Sequence, residues 1–279
     1  DRFPKGKDEK MYEWKNDRHL REKEIYFGTT EDGKDFFVKI KDLTHFFLNG
    51  ASGAGKSQWI YSFLNGVIHN LDQFEKVILI DFKKGISLDR YGNLGSDKII
   101  VVTSIQQMWK VVEDLERTNQ TRMEDVVNKQ REAIQKVIEL KNQGITDEKI
   151  LQEAKEAIID KIEDKAILFL TDEFAEIPKK QPKKDLDKDG YLRHQQMMVN
   201  LESLAATARS QNIKMFIITQ KGTIKESGVE FQDNLQSKLL MKVKSTMAMT
   251  SCLGDTESIK ELGVNPKNFT YGRFILHLD

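Results

Sequence analysis

Gly50-Ala51-Ser52-Gly53-Ala54-Gly55-Lys56-Ser57 is a complete G-x-x-x-x-G-K-S phosphate loop. It directly follows an apolar run, His45-Phe46-Phe47-Leu48, and directly precedes a segment that reads as helix, Gln58 to His69. A strand before and a helix after are the context such a loop needs. Its three glycines let the backbone curl until successive N–H groups point inward at phosphate oxygens, with the positive end of the next helix behind them. In that reading Lys56 reaches the β- and γ-phosphates and the Ser57 hydroxyl ligates Mg²⁺. The loop predicts a site for Mg-ATP.

A second segment points from binding to hydrolysis. Ala166-Ile167-Leu168-Phe169-Leu170 is apolar throughout, long enough for a buried strand and too short for a helix. It runs into Thr171-Asp172-Glu173. Carboxylates at the carboxyl end of a buried parallel strand lie at the crevice where open α/β sheets bind ligands. Asp172 is expected to hold Mg²⁺, mainly through its water shell, and Glu173 to orient and deprotonate the attacking water. An acidic turn after a strand is common on surfaces. It is the intact phosphate loop that favours chemistry here.

Composition bounds the rest. The chain has 279 residues, enough for one large α/β domain or two small ones. Lys and Arg total 44 and so do Asp and Glu, so no global charge announces nucleic acid or membrane. A polyanion site must then be a local patch or be assembled from several subunits. The single cysteine, Cys252, excludes an internal disulfide framework and suits a reducing compartment. It is expected in a core or a subunit interface. No apolar stretch approaches the ~20 residues that span a bilayer. The sequence begins with Asp1. The expectation is a cytoplasmic fragment, held at the inner face of the membrane if an anchor precedes it.

Residues 1–23 read as a charged arm and 24–279 as one ATPase domain. Within that domain Glu24 to Gly28, a turn at Glu31 to Lys34, and Asp35 to Ile40 form a β-hairpin. Strands are expected at Thr44 to Leu48, Lys76 to Asp81, Lys98 to Thr103, Lys165 to Thr171 and Lys214 to Thr219. Helices between them demand a mostly parallel sheet covered on both faces. Ser237 to Lys244 and Gly272 to Leu278 complete or edge it. Residues 104–164 read as a helical hairpin broken at Asn142 to Asp147, with Val126, Ile134, Val137, Ile138 and Leu151 on one stripe. Sheet-covering helices and a projecting insertion are both open readings. Residues 178–190 read as a mobile charged loop. Its Asp185-x-Asp187-x-Asp189-Gly190 lacks the glutamate a calcium loop needs.

The order of these landmarks carries a resemblance. The phosphate loop is followed by Val77-Ile78-Leu79-Ile80-Asp81-Phe82-Lys83, by Leu170-Thr171-Asp172-Glu173-Phe174-Ala175, and by Ala208-Arg209-Ser210-Gln211-Asn212-Ile213 leading to Thr219-Gln220. Over roughly Glu24 to Leu278 this resembles the motor domain of the FtsK/SpoIIIE family, within the HerA-FtsK group of hexameric ATPases. The resemblance implies an α/β, RecA-like P-loop fold with a mostly parallel central sheet, an N-terminal β-hairpin and a helical insertion. It also implies self-association into a ring, expected to be a hexamer. Gln220 is similar to the family's γ-phosphate sensor, and Arg209 to the arginine presented to a neighbouring subunit's ATP. Lys83 stands in a segment resembling the family's Asp-Pro-Lys, with Phe82 in place of proline.

Departures narrow the expectation. Gln220-Lys221-Gly222 stands where chromosome pumps show Gln-Arg-Pro, and the helical region is longer than theirs. These differences suit a mobile-element member such as a conjugative coupling protein. Expected partners are then DNA of either strandedness and relaxase or secretion-channel proteins. Lys83, Lys84 and Lys179 to Lys184 would grip phosphates around a pore. A type VII secretion-like ATPase acting on protein, or a phage or plasmid packaging ATPase, are the alternatives. A lysine in the Asp81-Phe82-Lys83 segment favours DNA.

Overall fold

The computed structural model describes residues 19–82, 88–159, 164–221, 231–253 and 263–278. A three-stranded antiparallel sheet comes first: β1 (Leu20–Arg21), β2 (Glu24–Thr29) and β3 (Asp35–Lys39). The hairpin lies where the alternation placed it, and β1 is an added strand too short for a pattern. The central sheet has seven strands: β4 (Phe46–Asn49), β5 (Phe74–Ile80), β6 (Ile99–Val102), β7 (Ala166–Thr171), β8 (Ile213–Thr219), β9 (Ser237–Leu240) and β10 (Ile275–His277). Their order is β10-β9-β4-β8-β7-β5-β6, and every pairing is parallel except β10 with β9. The α/β, mostly parallel architecture expected from the sequence is therefore the one observed.

Each strand sends alternate side chains to opposite faces, and two cores result. Phe46, Leu48, Leu168, Leu170, Phe216 and Ile218 pack beneath α1 (Lys56–His69), α2 (Asp89–Gly92) and the hairpin. Phe47, Ile167, Phe169, Met215 and Ile217 pack beneath α3 (Ile105–Asn142), α5 (Lys188–Thr207) and α6 (Thr246–Leu253). On the first face an aromatic block locks α1 to the strand that delivers the loop. Phe46 stacks on Trp59 at 5.5 Å and on Phe216 at 5.0 Å, and Phe63 meets Phe216 at 4.6 Å. Cys252 lies in the second core, where burial pushes its thiol up to about 12. It is a packing residue.

The helical segment combines both open readings. α3 runs 38 residues, roughly 57 Å at 1.5 Å per residue. Ser104 and Gln107 close a capping box at its start. Met108, Val112 and Leu115 in its first turns cover the sheet. Its far half packs on α4 (Glu148–Ile159), across a turn in which Gly144 donates to Lys141 O and Ile145 to Leu140 O. The expected stripe needs correcting: Ala133 and Leu151 are buried, but Ile134 and Ile138 are 56% and 52% exposed. The buried side of α3 repeats at 108, 112, 115, 119, 122 and 133, and positions 134 and 138 lie beside that face. α5 begins at Lys188, inside the 178–190 segment expected to be loop, because the Asp187 carboxylate accepts from Gly190 N at 2.8 Å. Helix capping accounts for Asp187.

Arg122 fastens α3 to the lower edge of the sheet. Only 5% exposed, it donates to Glu75 at 2.6 Å, to Lys165 O at 3.1 Å and to Gln211 O. These three residues stand at the amino ends of β5, β7 and β8.

Candidate functional site

The loop Gly50–Gly55 leaves the carboxyl end of β4 and feeds the first turn of α1 at Lys56. Gly53 has φ 76° and Gly55 φ 107°, conformations that disfavour any side chain. Gly50 has another reason: a Cβ there would lie 2.8 Å from Cβ of Met241. Neighbouring strands hold the loop from outside. Gly50 N donates to Thr219 O at 3.4 Å and Ala51 N to Lys242 O at 2.7 Å. The Asn49 side chain donates to Lys221 O at 2.7 Å. Lys56 is buried, its ammonium donating to the Gly50 carbonyl and, at 2.9 Å, to that of Ala51. The cation is thus kept within the curl of the loop. Ser57 is exposed on the first turn of α1, directly after Lys56.

Asp172 and Glu173 directly follow β7, whose strand neighbours are β5 and β8. Asp172 is 3% exposed, and its N–H donates to Ile80 O at 3.1 Å. Glu173 is half-buried. Its Oε1 accepts from the Thr219 hydroxyl at 2.8 Å and from Gln220 N at 3.0 Å, and Oε2 from the same N–H at 3.1 Å. The structure therefore brings Glu173 to Gln220. It also brings Gln220 to the loop, since both line a cavity of about 420 Å³ with Asn49, Ala51, Ser52, Lys221 and Lys244. Thr219 received no role from the sequence, although its place beside Gln220 in the Thr-Gln pair was the available signal.

Hard oxygen donors are what Mg²⁺ accepts. The Ser57 hydroxyl and the buried Asp172 carboxylate at one sheet edge fit that requirement, with phosphate and water completing the shell. Among the described residues no group of three His, Cys, Asp or Glu could hold a metal by itself. A nucleotide-linked ion needs no such cage.

Arg209 is not in this cluster. It lies exposed in the turn Ala208–Gln211, at the amino end of β8. Gln220 follows the other end of that seven-residue strand. At about 3.3 Å per residue the two are roughly 20 Å apart. Near Arg209 lie two buried bases: His45 is lowered to about 4 by burial and then by Lys214, and Lys214 to about 8 by burial and then by Arg209. Asp81 is buried, with its carboxylate accepting from Leu88 N at 2.9 Å. Lys83 and Lys84 lie outside the described residues. Phe82, next to Lys83 in sequence, lies 6.0 Å from the ammonium of Lys180.

No protein-family model matches this chain, and no curated protein is detectably similar to it. Solved structures are. The conjugation coupling protein TcpA of pCW3, in a monomer form with ATPγS, superposes with a TM-score of 0.64 at 19% identity, over 94% of this chain and 65% of its own. EssC (ATPases 2 and 3) from Geobacillus thermodenitrificans gives 0.61 at 13%, over 92% and 43%. The cytoplasmic domain of the type VII secretion ATPase EccC from Thermomonospora curvata gives 0.54 at 16%, over 95% and 28%. This chain thus spans less than two thirds of each. At such identities the likeness is one of fold alone, an α/β architecture with a mostly parallel central sheet.

Proposed function

We propose that this chain is an ATP-hydrolysing motor domain that moves DNA as part of a ring, in the manner of a conjugative coupling protein. The observation that carries the catalytic half is the Glu173 carboxylate, held by Thr219 and Gln220 at the same sheet edge as the Gly50–Ser57 loop. The loop amides and Lys56 bind the phosphates. Ser57 and Asp172 would hold Mg²⁺, which would supply charge neutralisation at the phosphate oxygens. Glu173 takes the proton of the attacking water, and the Gln220 amide monitors the terminal phosphate. Arg209 lies too far from its own site to act there, so its proposed target is the site of a neighbouring subunit.

DNA is favoured by the lysines that follow the Glu173 turn in sequence. These are Lys179, Lys180, Lys183 and Lys184, and the Lys180 ammonium lies 6.0 Å from the ring of Phe82, the residue before Lys83 in sequence. Phosphate gripping by such a group is independent of base sequence. The fold likeness to TcpA accords with this reading. The likeness to EssC and EccC keeps a protein-export ATPase as the second reading. ATPase rates with and without double- and single-stranded DNA, run beside a sizing measurement, separate the two. DNA stimulation that Lys56→Ala abolishes supports the first. Turnover indifferent to DNA favours the second, and no Lys56-dependent turnover under any condition removes both.

A further inference from the structure

The far half of α3 leaves large apolar side chains in solvent. Met123, Val127, Ile134 and Ile138 are 40%, 43%, 56% and 52% exposed. With 3.6 residues per turn the four fall within about 60° of arc, so they form one stripe. Glu116 lies on the same line, one heptad before Met123. Higher up, that line is the one α5 covers. Ser203 Oγ donates to Glu116 Oε1 at 3.2 Å, and Asn119 Nδ2 to Thr207 Oγ1 at 2.9 Å. These contacts advance in the same direction along both helices, so the two run parallel. α5 then ends at Thr207, level with Asn119, whereas α3 continues to Asn142, about 35 Å farther. The packing face of α3 thus outruns the helix that covers it.

The spacing also selects an occupant. The stripe steps by four, seven and four residues, and so reads the same in both directions about a midpoint between Gln130 and Arg131. The length that α5 leaves uncovered, Asn119 to Asn142, has the same midpoint. A second α3 laid antiparallel about that point sets Met123 against Ile138 and Val127 against Ile134, each pair occurring twice. Such reciprocity is what an isologous two-fold contact requires. The Asn142 end of the second helix then arrives at Asn119, where α5 stops, and does not overlap it. A helix of unrelated sequence has no need of this symmetry.

We infer that this stripe is a docking face for α3 of a second copy of the chain, in an antiparallel two-fold pair. The inference is independent of the nucleotide reading. Arg122 marks the amino ends of β5, β7 and β8, and the stripe lies beyond it, on the side away from the Gly50–Ser57 loop. From Met123 to Ile138 the contact runs about 22 Å, and it buries on the order of 1,000 Å² in all, the low end for specific association. The pair is therefore weak and concentration-dependent. Arg131, at the rim of the stripe, meets its own copy near the two-fold axis, and that like-charge contact weakens it further.

The test is sedimentation equilibrium of the whole chain without nucleotide, followed by oxidative cross-linking. Wild type should pass from one chain to two between roughly 10 µM and 1 mM. Val127→Asp and Ile134→Asp, at exposed positions, should each weaken the pair at least about tenfold while circular dichroism is unchanged, because each buries an unpaired charge. Arg131→Gln should tighten it. Direction is read from cysteines, with the buried Cys252 taking no part. Met123→Cys mixed with Ile138→Cys should give a disulfide-linked dimer that neither variant gives alone. Wild type that stays monomeric throughout overturns the inference. So does a dimer indifferent to both aspartates, which must rest on another surface, and so does cross-linking of Met123→Cys with itself, which would mean parallel helices.

Discussion

The hydroxyl of Thr219 lies 2.8 Å from Oε1 of Glu173, joining the end of β8 to the carboxylate after β7. Gln220 N–H donates to the same carboxylate, so its orientation depends on a strand that also carries the proposed phosphate sensor. A general base must point along one line to be useful. In the proposed enzyme Thr219 is therefore a positioning residue, acting through Glu173.

Thr219→Val keeps the shape and removes the donor. We expect kcat to fall about tenfold with KM unchanged, and Thr219→Ser to restore it. Glu173→Gln should cost ~10² or more in kcat while ATP binding persists, because it removes the base itself. Steady-state kinetics beside equilibrium ATP binding check both. Equal kcat in Thr219→Val and wild type would reduce the contact to a packing detail.

The separation of Arg209 from Gln220 along β8 makes a mixing experiment informative. Arg209→Ala subunits retain their own site, and Lys56→Ala subunits retain their arginine. Each alone should be nearly inactive, since an arginine acting in trans contributes ~10³-fold or more. Mixed rings should recover activity that neither variant shows. No recovery in rings whose mixed composition is confirmed by sizing would return Arg209 to a structural role.

Arg122→Ala should destabilise the fold by about 3 kcal/mol, since it leaves buried carbonyls and a carboxylate without their donor. Urea denaturation monitored by circular dichroism reads this as a lower midpoint at unchanged slope. Arg122→Lys should recover only part of it, because one ammonium cannot reproduce the forked contacts to Glu75, Lys165 and Gln211.

His45 is buried, and its Nδ1 accepts from Met215 N at 3.1 Å. Its folded-state value is lowered from 6.5 to about 4, by burial first and then by Lys214. The unfolded chain therefore binds a proton that the folded chain refuses between those values. The stability in question is fully present above pH 6.5 and is lost as pH falls toward 4, by a few kcal/mol at most. Chemical denaturation at pH 7 and pH 5 should show the drop, and a smaller drop in His45→Gln. An equal drop in both proteins would assign the loss to carboxylates instead.

What the sequence determined by itself is what neighbouring residues decide together. The phosphate loop needs its glycines and Lys56 within eight positions, and β7 is one apolar run ending in Asp172-Glu173. The hairpin and α1 announce themselves by alternation and by helical spacing, and all of these stand within a few residues of their expected bounds. Only tertiary structure decided which of these segments meet. Thr219 reaches Glu173 across 46 residues of sequence, and Arg122 reaches Gln211 across 89. Gly272 folds back onto Ala54 because β10 runs antiparallel beside β9 at the far edge of the sheet. No local period encodes such pairings, for they depend on strand order. The same limit explains Ile134 and Ile138: apolar spacing marks a face of α3, but what packs against that face is settled by where α4 turns back.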